Sequence, residues 1–246
     1  MHLDIFEPSN NDHPRAAVIL IHGGGWTSFD KSTMRNMAQF LARSGFVAVP
    51  VDYRLFHDDA TRWPAQLDDV QRAVRWLRAN AAKYNVAPER VGAYGHSAGA
   101  QLAALLGMIE TRDNSDAALA KFSSKVAAVA EASGPSEFAP YPKDSEEQKF
   151  FNSFFGDYTA HADVWRDASP TSHAAKSNAP LLIIHGTRDE MVPFSQSQIL
   201  YDKLTKVGAS VQLVQMETDH MFSDPAARRR LAVETRSFFE RTLAEK

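Results

Sequence analysis

The sequence predicts an α/β protein with a mostly parallel central sheet and helices on both faces. Two observations carry this expectation: apolar runs of strand length alternate with segments of helical apolar spacing, and polar, glycine-bearing residues gather just after several of those runs. Ala16-Ala17-Val18-Ile19-Leu20-Ile21 is continuously apolar, as in a strand buried on both faces. Met34, Met37, Phe40 and Leu41 then recur at three- and four-residue spacing, one face of a helix, with Gly45 just past its end. Phe46 to Val51 returns as a strand. Pro64 suits the first turn of a helix reaching Tyr84, with Leu67, Val70, Val74 and Leu77 on one side. The turn-like Ala87-Pro88-Glu89 leads into a strand at Arg90–Tyr94, and Ala98 to Met108, rich in alanine and leucine, reads as a buried helix. Strands are expected again at Val126–Ala130, Leu181–His185 and Val211–Met216, ahead of a final helix, and Met1 to Pro8 reads as a strand that opens the chain.

At 246 residues and 44% hydrophobic composition the chain can bury a full core, and a single domain over 1–246 is expected. A net charge of −3 leaves no basic footprint for nucleic acid, and no apolar stretch approaches the roughly 18 residues that span a membrane. The N-terminus lacks the basic start and apolar core of a secretory signal, so with Met1 as the native start the expected compartment is the cytoplasm. Cysteine is absent and no histidine pair has zinc-protease spacing, so neither a catalytic metal nor another cofactor is expected. Oligomeric state leaves no mark in the sequence.

Chemistry concentrates at the strand ends. Gly95-His96-Ser97-Ala98-Gly99 sits between an expected strand and an expected helix. A serine in so sharp a turn brings residues two positions away nearly into contact, which demands very small side chains there. The turn also sets Ser97 at a helix N-terminus, where unpaired N–H groups favour negative charge. His22-Gly23-Gly24-Gly25-Trp26 ends another strand, and its glycines let backbone N–H groups turn outward. Gly24, Gly25 and Ala98 are the candidate oxyanion donors. The run lacks the Lys-Ser/Thr ending of a phosphate loop. Asp189 falls on the loop after Leu181–His185, and His220 just beyond Val211–Met216, where a carboxylate and a general base could meet the serine. Glu190 is the main rival to Asp189. Asp219, the immediate neighbour of His220, is badly placed to reach the far ring nitrogen. His22 and His185 at strand ends are better suited to tying loops, and His96 is oriented away from Ser97. Ser97, Asp189 and His220 thus follow the chain order Ser, Asp, His of α/β hydrolases.

These segments, with Val51-Asp52-Tyr53-Arg54-Leu55 and His185-Gly186-Thr187-Arg188-Asp189 through Val192-Pro193, resemble the carboxylesterase branch of the α/β hydrolases. Within it the chain is similar to the feruloyl and acetyl-xylan esterase-like group, near the hormone-sensitive-lipase and prolyl-oligopeptidase families. The resemblance implies the α/β-hydrolase fold, a small cap insertion at about 135–175, and a serine carboxylesterase acting on small-molecule esters, short-chain or feruloyl-like. Kynurenine formamidases are similar around His22-Gly23-Gly24, although Gly25 stands where they often carry an aromatic residue, so an arylformamidase remains an alternative. A non-catalytic small-molecule-binding protein on the same fold is a third.

Between Phe138 and Trp165 the rhythm breaks, and Phe138, Tyr141, Phe150, Phe151, Phe154, Phe155, Tyr158 and Trp165 crowd together. Trp26, Phe138, Phe154 and Phe155 are candidates for an apolar substrate wall. The alternative, equally weighted, is that these rings only pack the insertion onto the sheet.

Overall fold

A computed structural model describes residues 2–10, 12–139 and 142–245 of the protein. In β1 (Arg15–Ile21) alternate side chains serve two cores: Ala17, Ile19 and Ile21 face one side, and Ala16, Val18 and Leu20 the other. The continuous apolar run is therefore a central strand covered twice. β2 (Val47–Val51), β3 (Val86–His96), β4 (Ala128–Ala132), β5 (Leu181–Gly186) and β6 (Val211–Met216) complete a six-stranded sheet of order β2-β1-β3-β4-β5-β6, parallel throughout.

Parallel neighbours need crossovers, and helices supply them. In chain order the α-helices are α1 (Arg35–Arg43), α2 (Ala65–Ala79), α3 (Ala98–Met108), α4 (Glu146–Phe155), α5 (Tyr158–Ala168), α6 (Ser195–Lys206) and α7 (Pro225–Thr242). Ala38 and Leu41 of α1 and Leu231, Phe238 and Phe239 of α7 close one core; Leu67, Val70 and Val74 of α2, Leu102 and Leu105 of α3, and Leu200 and Leu204 of α6 close the other. With every strand running the same way, the loops that follow β1, β3, β5 and β6 all emerge at one sheet edge. None of the described helices is long and apolar enough to cross a membrane.

Several expectations shift in detail. Ala87-Pro88-Glu89 lies inside β3 rather than before it: Arg15 pairs with Val86 and Ala17 with Val91, so the intervening residues bulge from the ladder. Proline, without an N–H, is tolerated at such a bulge. β4 begins two residues later than expected and so takes Glu131 into the sheet. The opening segment is no continuous strand; it makes isolated antiparallel bridges, Leu3 to Val51 and Phe6 to Ala48, along the β2 edge. Met34 closes a short 3-10 turn, Lys31–Met34, ahead of α1. Between β4 and β5 the chain inserts α4, α5 and the 3-10 turn Pro170–His173, where a cap was expected. Tyr141 lies outside the described residues.

Candidate active site

The turn from β3 into α3 holds Ser97 at φ 56° and ψ −123°, a strained conformation that costs on the order of 1–3 kcal/mol. Close packing enforces it. A Cβ on Gly95 would lie 2.0 Å from the Gly99 carbonyl oxygen, and one on Gly99 would lie 2.2 Å from that of Ile21. Both obstacles are backbone and cannot swing away. Gly99→Ala is expected to lower stability by about 3 kcal/mol, read by denaturant unfolding; a loss under about 1 kcal/mol would mean that the elbow is less tightly held than these contacts indicate. The Ser97 N–H is bonded to the Ala132 carbonyl of β4 at 2.8 Å, which fastens the elbow to the sheet.

Around Ser97 Oγ the loops after β5 and β6 assemble a hydrogen-bonded chain. His220 Nε2 lies 3.0 Å from Ser97 Oγ, and His220 Nδ1 lies 2.7 Å from Asp189 Oδ2. Asp189 Oδ1 accepts the N–H groups of Met191 at 2.9 Å and Val192 at 2.8 Å. Burial pushes the Asp189 carboxyl upward in pKa, but the Val192 N–H, the His220 ring and the Met191 N–H outweigh it and leave it below the ordinary carboxylate value. The carboxylate is thus ionised and aimed at the imidazole. Glu190 is exposed, and Asp219 accepts the Ser223 N–H at 2.9 Å, so the structure joins neither rival to His220.

Two more imidazoles support this chain. His96, held neutral by burial with a pKa of about 4, donates from Nε2 to the His220 carbonyl oxygen at 2.9 Å. His185 donates from Nε2 to the Val192 carbonyl at 2.9 Å, 3.1 Å from Asp189 Oδ2, and accepts the Ser197 hydroxyl at Nδ1 across 2.6 Å. Burial lowers its pKa, and the neutral ring helps fix the Asp189 loop. The strand-end role expected for His185 is of this kind.

The Gly23–Trp26 loop crosses directly over the elbow: a Cβ on Gly23 would sit 3.1 Å from the Cβ of Ser97. Gly24, Gly25 and Trp26 follow with φ of 108°, 58° and 61°. A side chain on Gly24 would strike the Ser28 carbonyl oxygen at 2.2 Å, so glycine is required there. Among the described residues, no hydrogen bond occupies the N–H of Gly24, Gly25 or Ala98. Tyr53 braces the loop from behind. Its hydroxyl donates to the His22 carbonyl at 3.0 Å, and its ring stacks on His22 at 4.2 Å. Burial raises the phenol pKa, so the donor keeps its proton. Arg54 in turn grips Asp69 of α2 through Nε at 2.9 Å and Nη2 at 3.0 Å, and the Phe56 N–H reaches the Trp26 carbonyl at 2.7 Å.

The four aromatic candidates come together as one buried cluster. The Trp26 ring lies 5.9 Å from Phe138 and 5.3 Å from Phe154, Phe155 lies 4.9 Å from Phe138 and 4.8 Å from Phe154, and none is more than 6% exposed. The bracing role of Tyr53 is not legible in the sequence. Its segment was visible only as part of a resemblance, because a tyrosine after a strand has many uses.

Comparison with known proteins bears on the family and the fold. The BD-FAE family model matches residues 3–204, a span that ends before β6 and leaves His220 to be placed by its contacts. The chain is 27% identical over 95% of its length to a probable carboxylic ester hydrolase, LipM of Mycobacterium tuberculosis, and spans 57% of that protein. Among solved structures, a butyrate-bound thermophilic esterase of Thermogutta terrifontis is 25% identical with a TM-score of 0.85, covering 99% of this chain and 91% of that one. A truncated carbohydrate esterase from gut microbiota is 26% identical, with the same TM-score and the same coverage. The elbow, the glycine loop and the extent of the family match lead to one placement: the chain belongs to the BD-FAE family and has the α/β-hydrolase fold, in keeping with the feruloyl and acetyl-xylan esterase-like group.

Proposed function

We propose that the protein is a serine carboxylesterase that cleaves small-molecule esters through an acyl-enzyme. The carrying observation is the continuous chain from Ser97 Oγ through His220 to Asp189, with contacts of 3.0 and 2.7 Å. His220 Nε2 takes the Ser97 proton as Oγ attacks the ester carbonyl, and Asp189 stabilises the imidazolium that forms. The oxyanion is held by the Gly24, Gly25 and Ala98 N–H groups, each worth about 100- to 1000-fold in rate. His220 then protonates the departing alcohol oxygen, the tetrahedral intermediate collapses to the acyl-enzyme, and water activated by the same imidazole releases the acid.

Substrate size follows from what surrounds the serine. Trp26, which follows the oxyanion glycines, joins Phe138, Phe154 and Phe155 into an apolar wall beside the acyl site; the rings are packed on one another and nearly buried, so the wall is closed and favours a short acyl chain. The butyrate found in the similar Thermogutta esterase is of that size. Phe29, Met191 and Met221 are 62%, 72% and 58% exposed on the loops after β1, β5 and β6, and they offer an apolar rim to the rest of the ester.

Initial rates on nitrophenyl esters of increasing chain length, with methyl ferulate and N-formylkynurenine alongside, test the proposal. Cleavage of acetyl and butyryl esters at least about 10-fold faster than of decanoyl esters is expected, since each misfit methylene costs about 1–3 kcal/mol. Preference for the formamide would move the assignment to an arylformamidase, and silence on all substrates would favour a binding protein.

A further inference from the structure

Gln101 is a polar side chain in an otherwise apolar helix, and it is 1% exposed. It stands one helical turn after Ser97 on α3, and both ends of its amide are used. Oε1 accepts the Trp26 indole N–H at 3.2 Å, while Nε2 donates to the Ala168 carbonyl oxygen at 2.8 Å. The partners fix the orientation of the amide, since an indole N–H can only donate and a carbonyl can only accept. Three separate parts of the chain meet in this one group: the loop carrying Gly24 and Gly25, the helix carrying Ser97 and Ala98, and the last residue of α5 in the insertion.

We propose that Gln101 is a positioning residue for the oxyanion hole, clamping the Gly24–Trp26 loop to the nucleophile helix and to the inserted helices. The inference rests on Gly24, Gly25 and Ala98 being the oxyanion donors. Those N–H groups come from two different elements, so their separation depends on what ties the loop to α3. Tyr53, Arg54 and Phe56 hold the loop from the β2 side, while the Trp26–Gln101 bond is a side-chain tie to α3 itself. Displacement of a donor by about 1 Å can cost on the order of 100-fold in rate. The bond to Ala168 extends the tie to the insertion, so movement of α5 is conveyed to the hole.

The test compares Gln101→Met, which removes both hydrogen bonds at similar volume, with Trp26→Phe, which removes the indole donor, and with the double variant. Active sites are counted by titration with a nitrophenyl phosphonate, and kcat per titrated site and KM are measured on nitrophenyl acetate. Acylation and deacylation both pass through an oxyanion, so kcat falls whichever step limits. Each single variant is expected to lose about 10- to 100-fold in kcat, and Gln101→Met, at a position that does not line the acyl site, to keep KM within about 3-fold. The double variant should match the worse single within about 2-fold, because both remove the same tie. A residue that merely supported the fold would lower the number of titrated sites and leave kcat per site unchanged. Wild-type kcat per site in either single variant, or losses that multiply in the double, would overturn the positioning role. A wild-type protein inert toward every ester would instead overturn the esterase reading and this inference with it. Should Gln101→Met fail to fold, Gln101→Leu, which also removes both hydrogen bonds, decides through the same kcat per titrated site and KM.

Discussion

Ser97→Ala is expected to lower kcat/KM on nitrophenyl acetate by at least about 10,000-fold while leaving thermal stability nearly unchanged. The change removes one oxygen, whose hydrogen-bond partner is His220 Nε2 at 3.0 Å. The backbone at φ 56° is no more strained for alanine than for serine, and the N–H to Ala132 remains. Folding should therefore barely register the substitution. His220→Gln should lose activity on a similar scale, and the double variant should be little worse than either single one, because a nucleophile and its base act as one unit. Full activity in Ser97→Ala would remove the nucleophile from the mechanism. Multiplicative losses in the double variant would mean that His220 serves some other step.

Glu131→Gln is expected to change stability by several kcal/mol between acid and alkaline pH, with a sign that depends on pH. Glu131 is 2% exposed on β4, beside Gly95 of the elbow, in a recess bounded by Ala100, Ala104, Pro170 and Leu200. Oε2 accepts the Gly134 N–H at 3.0 Å, and Oε1 has no partner among the described residues. Burial pushes the carboxyl from 4.5 up to about 8, against the lowering influence of the Gly134 N–H. A group raised in the folded state contributes its stability fully below the unfolded value of 4.5, and that contribution drains away as pH rises towards 8. Across this window the wild type should lose about 1.4 kcal/mol per pH unit from this residue. Glutamine cannot ionise, so the slope should vanish. Its NH2 takes the place of the unpartnered Oε1 and leaves one more donor unsatisfied than the protonated carboxyl does, a cost of about 1–3 kcal/mol, so the net gain at pH 8.5 should be about 2–3 kcal/mol. Urea unfolding at pH 5 and pH 8.5 measures both ends. Parallel pH dependence in the two proteins would show that Glu131 is not the titrating group.

The strands whose surroundings are uniformly apolar were legible in the sequence. β1 from Ala16 onward and the whole of β5 are buried, so their composition alone announces them. The serine elbow was legible for a different reason: backbone obstacles at 2.0 and 2.2 Å admit no side chain at Gly95 or Gly99, and steric demands of that kind leave a spaced pattern. Asp189 and His220 could be found because a parallel sheet delivers its loops to one edge. Glu131 escaped, since a run of alanines and valines gives no register and the observed strand starts two residues later than expected. Gln101 escaped because a buried glutamine in a helix looks like a surface one until its partners, 75 and 67 positions away, are in place. The α4–α5 insertion was visible as a cluster of rings. Which side chains those rings would meet depends on tertiary packing, about which aromatic composition says little.

The most direct test of the central claim is covalent trapping. The wild-type protein is treated with a fluorophosphonate, digested, and the modified residue located by mass spectrometry, with residual esterase activity followed in parallel. One phosphonyl group per chain on Ser97, loss of activity in step with labelling, and no labelling of Ser97→Ala are expected. A label on another residue, or ester hydrolysis that persists after Ser97 is fully modified, would contradict that claim.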